Sequence, residues 1–216
     1  MCIRDRINLA VDIMGGDFGP NTVIKAVSEA SKLHPNVNFR LFGDKTRALN
    51  EIAKDNSLKN FEIIHTSEYI KSDDEPVNAL RKLKRSSLRL AVNDVEEKKS
   101  HGLVSAGNTG ALMTLSLLNI KSLESIKRPA IASIWPNIKG ESIVLDLGAN
   151  IKSNSQYLVD NAILGSSLAT SLLKIQNPSV GLLNVGKEEN KGSEIVNDAS
   201  LRLIELRDKG LINYVG

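Results

Sequence analysis

Apolar residues alternate with polar ones in short bursts along this chain. Each burst runs into a turn rich in glycine or aspartate, and then into a stretch whose apolar positions recur every three to four residues. That pattern reads as strand, loop, helix, repeated. Ile7 to Ile13 predicts a first strand, and Pro20 opens a helix that buries Val23, Ile24 and Val27. Val37, Phe39 and Leu41 predict a second strand ending at Gly43-Asp44, Ala48 to Ala53 a helix, and Phe61 to Ile64 a third strand. Asp73-Asp74-Glu75-Pro76 starts a helical region, its acids placed where the helix dipole favours them, with Leu80, Leu83, Ser87, Leu88, Ala91, Val92 and Val95 as its inner face. Leu103 and Val104 lead into a central loop and a helix from Leu112 to Ile120.

Further on, Arg128-Pro129 leads into Ala130 to Trp135, and Ile143 to Leu147 reads as a strand. Tyr157 to Leu173 reads as a helix, Val180 to Val185 as a strand, Ile195 to Leu206 as a helix and Ile212 to Val215 as a short strand. Strands separated by helices predict an α/β fold with a mostly parallel sheet covered on both faces. No repeat or composition shift marks a linker, so one continuous domain is expected over residues 7–216. Met1 to Arg6 lacks the pattern and is expected to be disordered or foreign to the fold.

Composition changes this picture little. Lys plus Arg number 28 against 25 Asp plus Glu, an excess too small to imply nucleic-acid binding. No apolar run approaches the ~20 residues of a membrane span and no signal peptide opens the chain, so a cytoplasmic location is expected. Cys2 is the only cysteine, and His34, His65 and His101 lack metal-ligand spacing, so neither a disulfide framework nor a metal or other cofactor is expected.

The chemistry concentrates in the loops. Ser105-Ala106-Gly107-Asn108-Thr109-Gly110 sits between a strand and a helix start, where unpaired backbone N–H groups favour anions and glycines admit close approach. Ser105, Asn108 and Thr109 add side-chain donors. Loops of related chemistry follow other strands: Asp12 to Pro20, with Gly15, Gly16 and Asp17; Asp146 to Asn150; and Gly186 to Gly192. Gly181 to Glu188 spells G-x-x-x-x-G-K-E, but a carboxylate stands where a P-loop needs a hydroxyl. Neither Gly15-Gly16-Asp17-Phe18-Gly19 nor Gly107-Asn108-Thr109-Gly110 meets G-x-G-x-x-G, which disfavours a nicotinamide enzyme. Arg81, Arg85 and Arg89 recur every fourth residue. Such a stripe is usually a solvated face, and its sharper reading is a dock for an acidic partner.

Taken together, the loops resemble the bacterial phosphate acyltransferases of phospholipid synthesis, the PlsX family. The matching segments are Asp12 to Asp17 (D-I-M-G-G-D), Asp74 to Pro76 with Arg81 and Ser86-Ser87, Ser105 to Met113 (S-A-G-N-T-G-A-L-M), Arg128-Pro129-Ala130, Leu145 to Asn150 (L-D-L-G-A-N), and Asn184 to Gly192 (N-V-G-K-E-E-N-K-G). The resemblance implies a Rossmann-like three-layer α/β/α fold akin to isocitrate and isopropylmalate dehydrogenases and to phosphotransacetylases. It also implies passage of a fatty acyl group from acyl carrier protein to inorganic phosphate, and a homodimer. Gly216 falls roughly two thirds of the way through such a protein. The part beyond is expected to carry subunit-pairing helices and a surface for peripheral membrane contact.

The expected mechanism is direct attack by phosphate on the thioester, with no covalent enzyme intermediate. Ser105, Gly107, Asn108, Thr109 and Gly110 are the candidate phosphate or oxyanion contacts, with Gly15, Gly16, Asp17, Asn150 and Gly186 around the anion. Lys191 is the candidate counter-charge, and Asp146 or Glu188 the group that orients it or protonates the leaving thiol. Clustered carboxylates repel an anion, so Asp12, Asp17, Asp146 and Glu188 cannot all face phosphate. The competing expectations are a phosphotransacetylase-like enzyme using acyl-coenzyme A, a non-catalytic anion-binding scaffold and, third, a metal-dependent decarboxylating dehydrogenase.

Overall fold

The computed structural model describes residues 6–55, 57–120, 122–124, 126, 128–138, 140–148, 150, 153–186 and 191–216. Residues 1–5 of the expected leader lie outside them. The chain divides into two compact units, residues 1–121 and 122–216.

In the first unit, β1 (Ile7–Asp12), β2 (Val37–Gly43), β3 (Phe61–His65) and β4 (Gly102–Ser105) form one sheet in the order β3-β2-β1-β4, with every neighbouring pair parallel. Alternation along the strands decides which face each residue covers. Leu9, Val11, Phe39, Leu41, Phe61 and Ile63 pack on one side with Ile24 and Val27 of α1 (Gly19–Leu33) and Ala48 and Ile52 of α2 (Lys45–Ile52). Ala10, Phe42, Ile64 and Leu103 pack on the other with Ala91 of α4 (Ser87–Glu96). Alongside α4 lie α3 (Pro76–Lys82) and α5 (Thr109–Asn119), joined through Leu80, Leu88, Val92, Ala111 and Leu115. Leu41, Leu88 and Leu115 are fully buried, each stabilising the unit by roughly 1.5–3 kcal/mol relative to exposure.

One charged pair lies inside this packing. Arg40 of β2 reaches Asp94 of α4 with both ends of its guanidinium fork, Nε to Oδ2 at 2.9 Å and Nη2 to Oδ1 at 3.0 Å. Ser100 adds a hydroxyl to Oδ2 at 2.6 Å, and Glu62 takes another Arg40 donor. The hydrogen bond to Asp94 is the main reason the Arg40 pKa is raised above its ordinary value. Breaking such a buried pair typically costs about 3–5 kcal/mol.

The predicted helical region after Asp73 is two helices. Leu83 leaves helical geometry, Ser86 caps α4, and the intervening backbone is fastened from outside. Thr66 donates its hydroxyl to the Arg85 carbonyl at 2.6 Å, and the Arg85 N–H donates to Glu68 at 3.0 Å. Arg81, Arg85 and Arg89 therefore do not form one helical stripe: the first ends α3, the second lies in the elbow, and the third belongs to α4. An apolar repeat of three to four residues continues across a capped break, so periodicity alone could not show it.

The second unit holds a hairpin of β5 (Ala132–Asn137) and β6 (Gly140–Leu145), the long α6 (Ser155–Leu172), β7 (Ser179–Val180), α7 (Glu194–Asp208) and β8 (Asn213–Tyr214). β5 and β6 are antiparallel, a departure from the expected strand-helix alternation. The turn is flanked by Asn137 and by Gly140 at φ +136°, a conformation that favours glycine. The strand predicted over Val180 to Val185 shrinks to the two-residue β7, paired in parallel with β8. Val159 and Ala162 of α6 pack with Ala199 and Leu203 of α7 and with Tyr214, forming this unit's core. No described helix is long and apolar enough to cross a membrane.

Candidate active site

β1 and β4 are neighbours in parallel register, with Asp12 paired to Ser105, so the loops leaving them start side by side at one sheet edge. The pairing has a chemical consequence. Asp12 is 2 % exposed, and its Oδ2 accepts the Ser105 hydroxyl at 2.9 Å while Oδ1 accepts the Met14 N–H at 3.2 Å. Ser105 Oγ in turn accepts the Gly107 N–H at 3.1 Å. A buried carboxylate thus ties both loops together through one hydroxyl, its charge met by two donors.

The glycines make that contact possible. A Cβ on Gly15 would lie 2.7 Å from Asp12 Oδ2 and 2.9 Å from the Gly107 nitrogen, and one on Gly107 would lie 3.2 Å from Gly15 Cα. Gly16, at φ +84°, passes the Ala106 carbonyl just as closely. The absent side chains at 15 and 107 therefore make room for the partner loop. Asp17, one step further, is exposed.

Asn108 caps α5. Its Oδ1 accepts the Ala111 N–H at 2.9 Å, and its amide nitrogen donates to the carbonyls of Asp74 at 2.9 Å and Ser72 at 3.2 Å. Both ends of the amide are spent on the fold, which leaves no donor for an oxyanion while these bonds hold. Ser105 is committed in the same way. In the first turn of α5 the backbone N–H groups of Thr109 and Gly110 have no hydrogen-bond partner among the described residues, and the Thr109 hydroxyl is a further donor. Both residues are exposed, and the positive end of the helix dipole lies at their nitrogens. Gly110 is small because a Cβ there would come 2.9 Å from Pro76 Cγ at the start of α3.

Asp146 and Asn150 come together in the second unit. The Asn150 N–H donates to Asp146 Oδ2 at 3.2 Å, and its side-chain amide donates to the Tyr157 hydroxyl at 2.7 Å. Asp146 Oδ1 is buried with no hydrogen-bond partner among the described residues. Sequence reasoning missed Tyr157, a 7 % exposed phenol on α6. Burial is the chief cause that pushes its pKa above the usual tyrosine value, and the neighbouring Asp146 carboxylate adds to it. The available signal was an aromatic with a polar tip one helical turn after Asn154, which caps α6.

Lys191 is exposed on a separate loop, where its carbonyl accepts the Asn184 amide at 3.1 Å. An added Cβ at Gly192, φ +94°, would overlap that same amide, so Asn184 anchors the end of the loop. Gly186 is half-buried, and Glu188 lies outside the described residues.

The sequence matches the family described as "Fatty acid synthesis protein" over residues 7–216. It is 43% identical over 212 residues to a phosphate acyltransferase of Rhizobium meliloti, covering 97% of this chain and 61% of that protein. Over 199 residues it is 44% identical to a phosphate acyltransferase of Pelagibacter ubique, covering 91% of this chain and 59% of that one. The chain thus spans about 60% of the length of these curated relatives. Among solved structures it shares its fold with the EutD phosphotransacetylase from Staphylococcus aureus, with a TM-score of 0.68 at 20% identity over 98% of this chain and 68% of that one. A branched-chain phosphotransacylase from Enterococcus faecalis superposes with a TM-score of 0.61 at 16% identity, covering 97% of this chain and 68% of that one.

Proposed function

We propose a function from one premise: this chain belongs to the fatty acid synthesis protein family. The complete protein is an acyltransferase that moves a fatty acyl group from the thioester of acyl carrier protein to inorganic phosphate, releasing acyl phosphate for phospholipid synthesis. The observation that carries this reading is the 43% identity to a phosphate acyltransferase across 97% of the chain. The same reading makes the complete protein a cytoplasmic homodimer that touches the inner face of the membrane peripherally.

The chemistry asks little beyond alignment and charge stabilisation. A phosphate oxygen attacks the thioester carbonyl carbon, the carbonyl oxygen takes up negative charge, and collapse of that intermediate expels the thiolate and leaves a carbon–oxygen bond to phosphorus's oxygen. The N–H groups of Thr109 and Gly110 and the Thr109 hydroxyl are the donors free to meet this anionic chemistry. A well-placed donor of this kind is worth about 3–4 kcal/mol in the transition state. Asp12 does not oppose the anion, because it is sealed beneath the two loops and holds them in place. In the second unit, Lys191 is an exposed cation beside Asn184. Asp146, held beside Asn150 and Tyr157, is the candidate acid of that unit.

The test uses the complete protein with acyl carrier protein charged with a fatty acyl group. Phosphate-dependent loss of the thioester with formation of acyl phosphate is the expected result. Turnover from acyl-coenzyme A alone would transfer the assignment to the phosphotransacylase chemistry of its fold relatives. Phosphate binding without turnover of either donor would reduce the protein to an anion-binding scaffold.

A further inference from the structure

Five cations and no acid occur between Arg81 and Leu90, the stretch that turns from α3 into α4. Four of them, Arg81, Lys82, Lys84 and Arg85, are exposed and make no ion pair or side-chain hydrogen bond among the described residues. Some cations elsewhere are paired: Lys32, Lys54, Lys99, Arg202 and Arg207 each lie against a carboxylate. The fifth, Arg89, is spent on the fold, donating Nη2 to the Leu80 carbonyl at 2.7 Å across the end of α3. Arg81 and Lys82 also complement the negative end of the α3 dipole, which accounts for two charges. Lys84 and Arg85 lie beyond that helix and have no such explanation.

The elbow is rigid although its charges are free. Thr66 and Glu68 hold the Arg85 backbone on both sides, Ser86 caps α4, and Arg89 closes the end of α3. Four unpaired cations on a fastened corner form a preorganised positive surface, which binds an acidic partner with little ordering cost. Leu80 and Leu88 are buried and Leu83 is half-buried, so the corner offers no exposed apolar side chain to a lipid surface. A shallow depression lined by Asp74, Glu75, Asn78, Ala79, Lys82 and Leu83 follows α3 away from the corner. It ends at the helix start, where Pro76 abuts Gly110 and the free N–H groups of α5 begin.

We propose that Arg81, Lys82, Lys84 and Arg85 form the docking surface for an acidic carrier protein, which lays its thioester arm along α3 toward the N-terminus of α5. This deepens the acyl-transfer reading above and rests on it for the partner's identity. Arg89, part of the predicted arginine stripe, is excluded from the surface, and Lys82 and Lys84 join it.

The test measures binding of acyl carrier protein bearing its prosthetic arm but no acyl group to this chain. The triple variant K82E/K84E/R85E is compared with K25E, a reversal on an exposed position of α1. The triple reversal is expected to weaken binding at least about tenfold at low salt and to flatten its dependence on ionic strength, with K25E near wild type. Equal affinity for wild type and the triple variant, or equal weakening by K25E, overturns the elbow assignment, as does wild-type binding that salt does not affect. Thermal melts confirm that the variants fold, and anionic vesicles bound by wild type but not by the triple variant would reassign the surface to lipid. Acyl transfer by the complete protein, assayed separately, distinguishes failure of this proposal from failure of the enzyme assignment.

Discussion

Ser105 donates its hydroxyl to the buried carboxylate of Asp12 and accepts the Gly107 N–H with the same oxygen, at 2.9 and 3.1 Å. One side chain thereby joins the ends of β1 and β4 to the loop that leads into α5. Ser105→Ala leaves Asp12 Oδ2 without its donor and the Gly107 N–H without its acceptor. A buried charged acceptor left unpaired costs about 1–3 kcal/mol or more, so the urea midpoint of this chain should fall while the slope of the transition stays unchanged. A midpoint equal to wild type would show that the hydroxyl holds nothing together.

Asn108 provides a second and sharper contrast, because its residue type suits two roles. As an oxyanion donor its loss would lower kcat by about 10²–10³ with stability untouched. As the α5 cap and the tie to Ser72 and Asp74, its loss appears first in stability. Asn108→Ala should cost about 1–2 kcal/mol through the cap alone. Asn108→Asp keeps the acceptor for Ala111 but turns a carboxylate oxygen toward the Ser72 and Asp74 carbonyls, so it should recover only part of the cap loss. Denaturation of the two variants beside wild type checks the order; a stable Asn108→Ala chain whose complete form has lost turnover would restore the catalytic role.

Much of this arrangement was legible in the sequence. The alternation Val37, Phe39, Leu41 placed a strand where β2 lies, and the glycine-rich stretches after Asp12 and Ser105 mark loops that the sheet order brings together. What could not be read was how each polar atom is used. Ser, Asn and Gly in a loop serve anion binding and loop packing equally well, and only the distances show Gly15 against Gly107 and Asn108 against Ala111. The antiparallel β5–β6 pair escaped because its turn interrupts a run otherwise read as continuing the strand-helix rhythm, although Asn137 and Gly140 are turn formers. The arginine stripe failed for the opposite reason: its fourfold spacing is real, but Ser86 and the Thr66 and Glu68 contacts break the helix it presupposed.

Gly15 and Gly102 are both glycines of the β1–β4 region, and they should respond in opposite ways to a methyl group. At Gly15 the new Cβ would meet a carboxylate oxygen at 2.7 Å and a backbone nitrogen at 2.9 Å, neither at the end of a flexible chain, so the loops must part. Overpacking of this kind costs about 1–3 kcal/mol. At Gly102 the nearest atom is Leu9 Cδ1 at 3.6 Å, an ordinary contact, and no positive φ stands in the way. Gly102→Ala should therefore match or slightly exceed wild type in a urea melt, with Gly15→Ala well below both. Equal midpoints for the two variants would remove the interlocked-loop account.

Tyr157 contributes to the alkaline pH response of the second unit. Burial raises its pKa above the ordinary value of 10, Asp146 raises it further, and hydrogen bonds from Asn161 and Asn150 work in the opposite direction. A phenol that ionises later in the folded chain than in the unfolded one binds the extra proton in the native state. Stability is therefore fully present below pH 10 and falls as pH rises from there through the folded-state pKa. Lys32 and Lys99, also raised by their carboxylate partners, lose stability in the same direction, so wild type alone cannot isolate the phenol. Tyr157→Phe isolates it. The variant loses the acceptor for the Asn150 amide and should be about 1 kcal/mol less stable at neutral pH. Its denaturation midpoint should then decline less steeply than wild type above about pH 10, so that the two curves converge. Parallel curves across that range would mean that the Tyr157 hydroxyl ionises alike in both states, and that burial on α6 does not govern it.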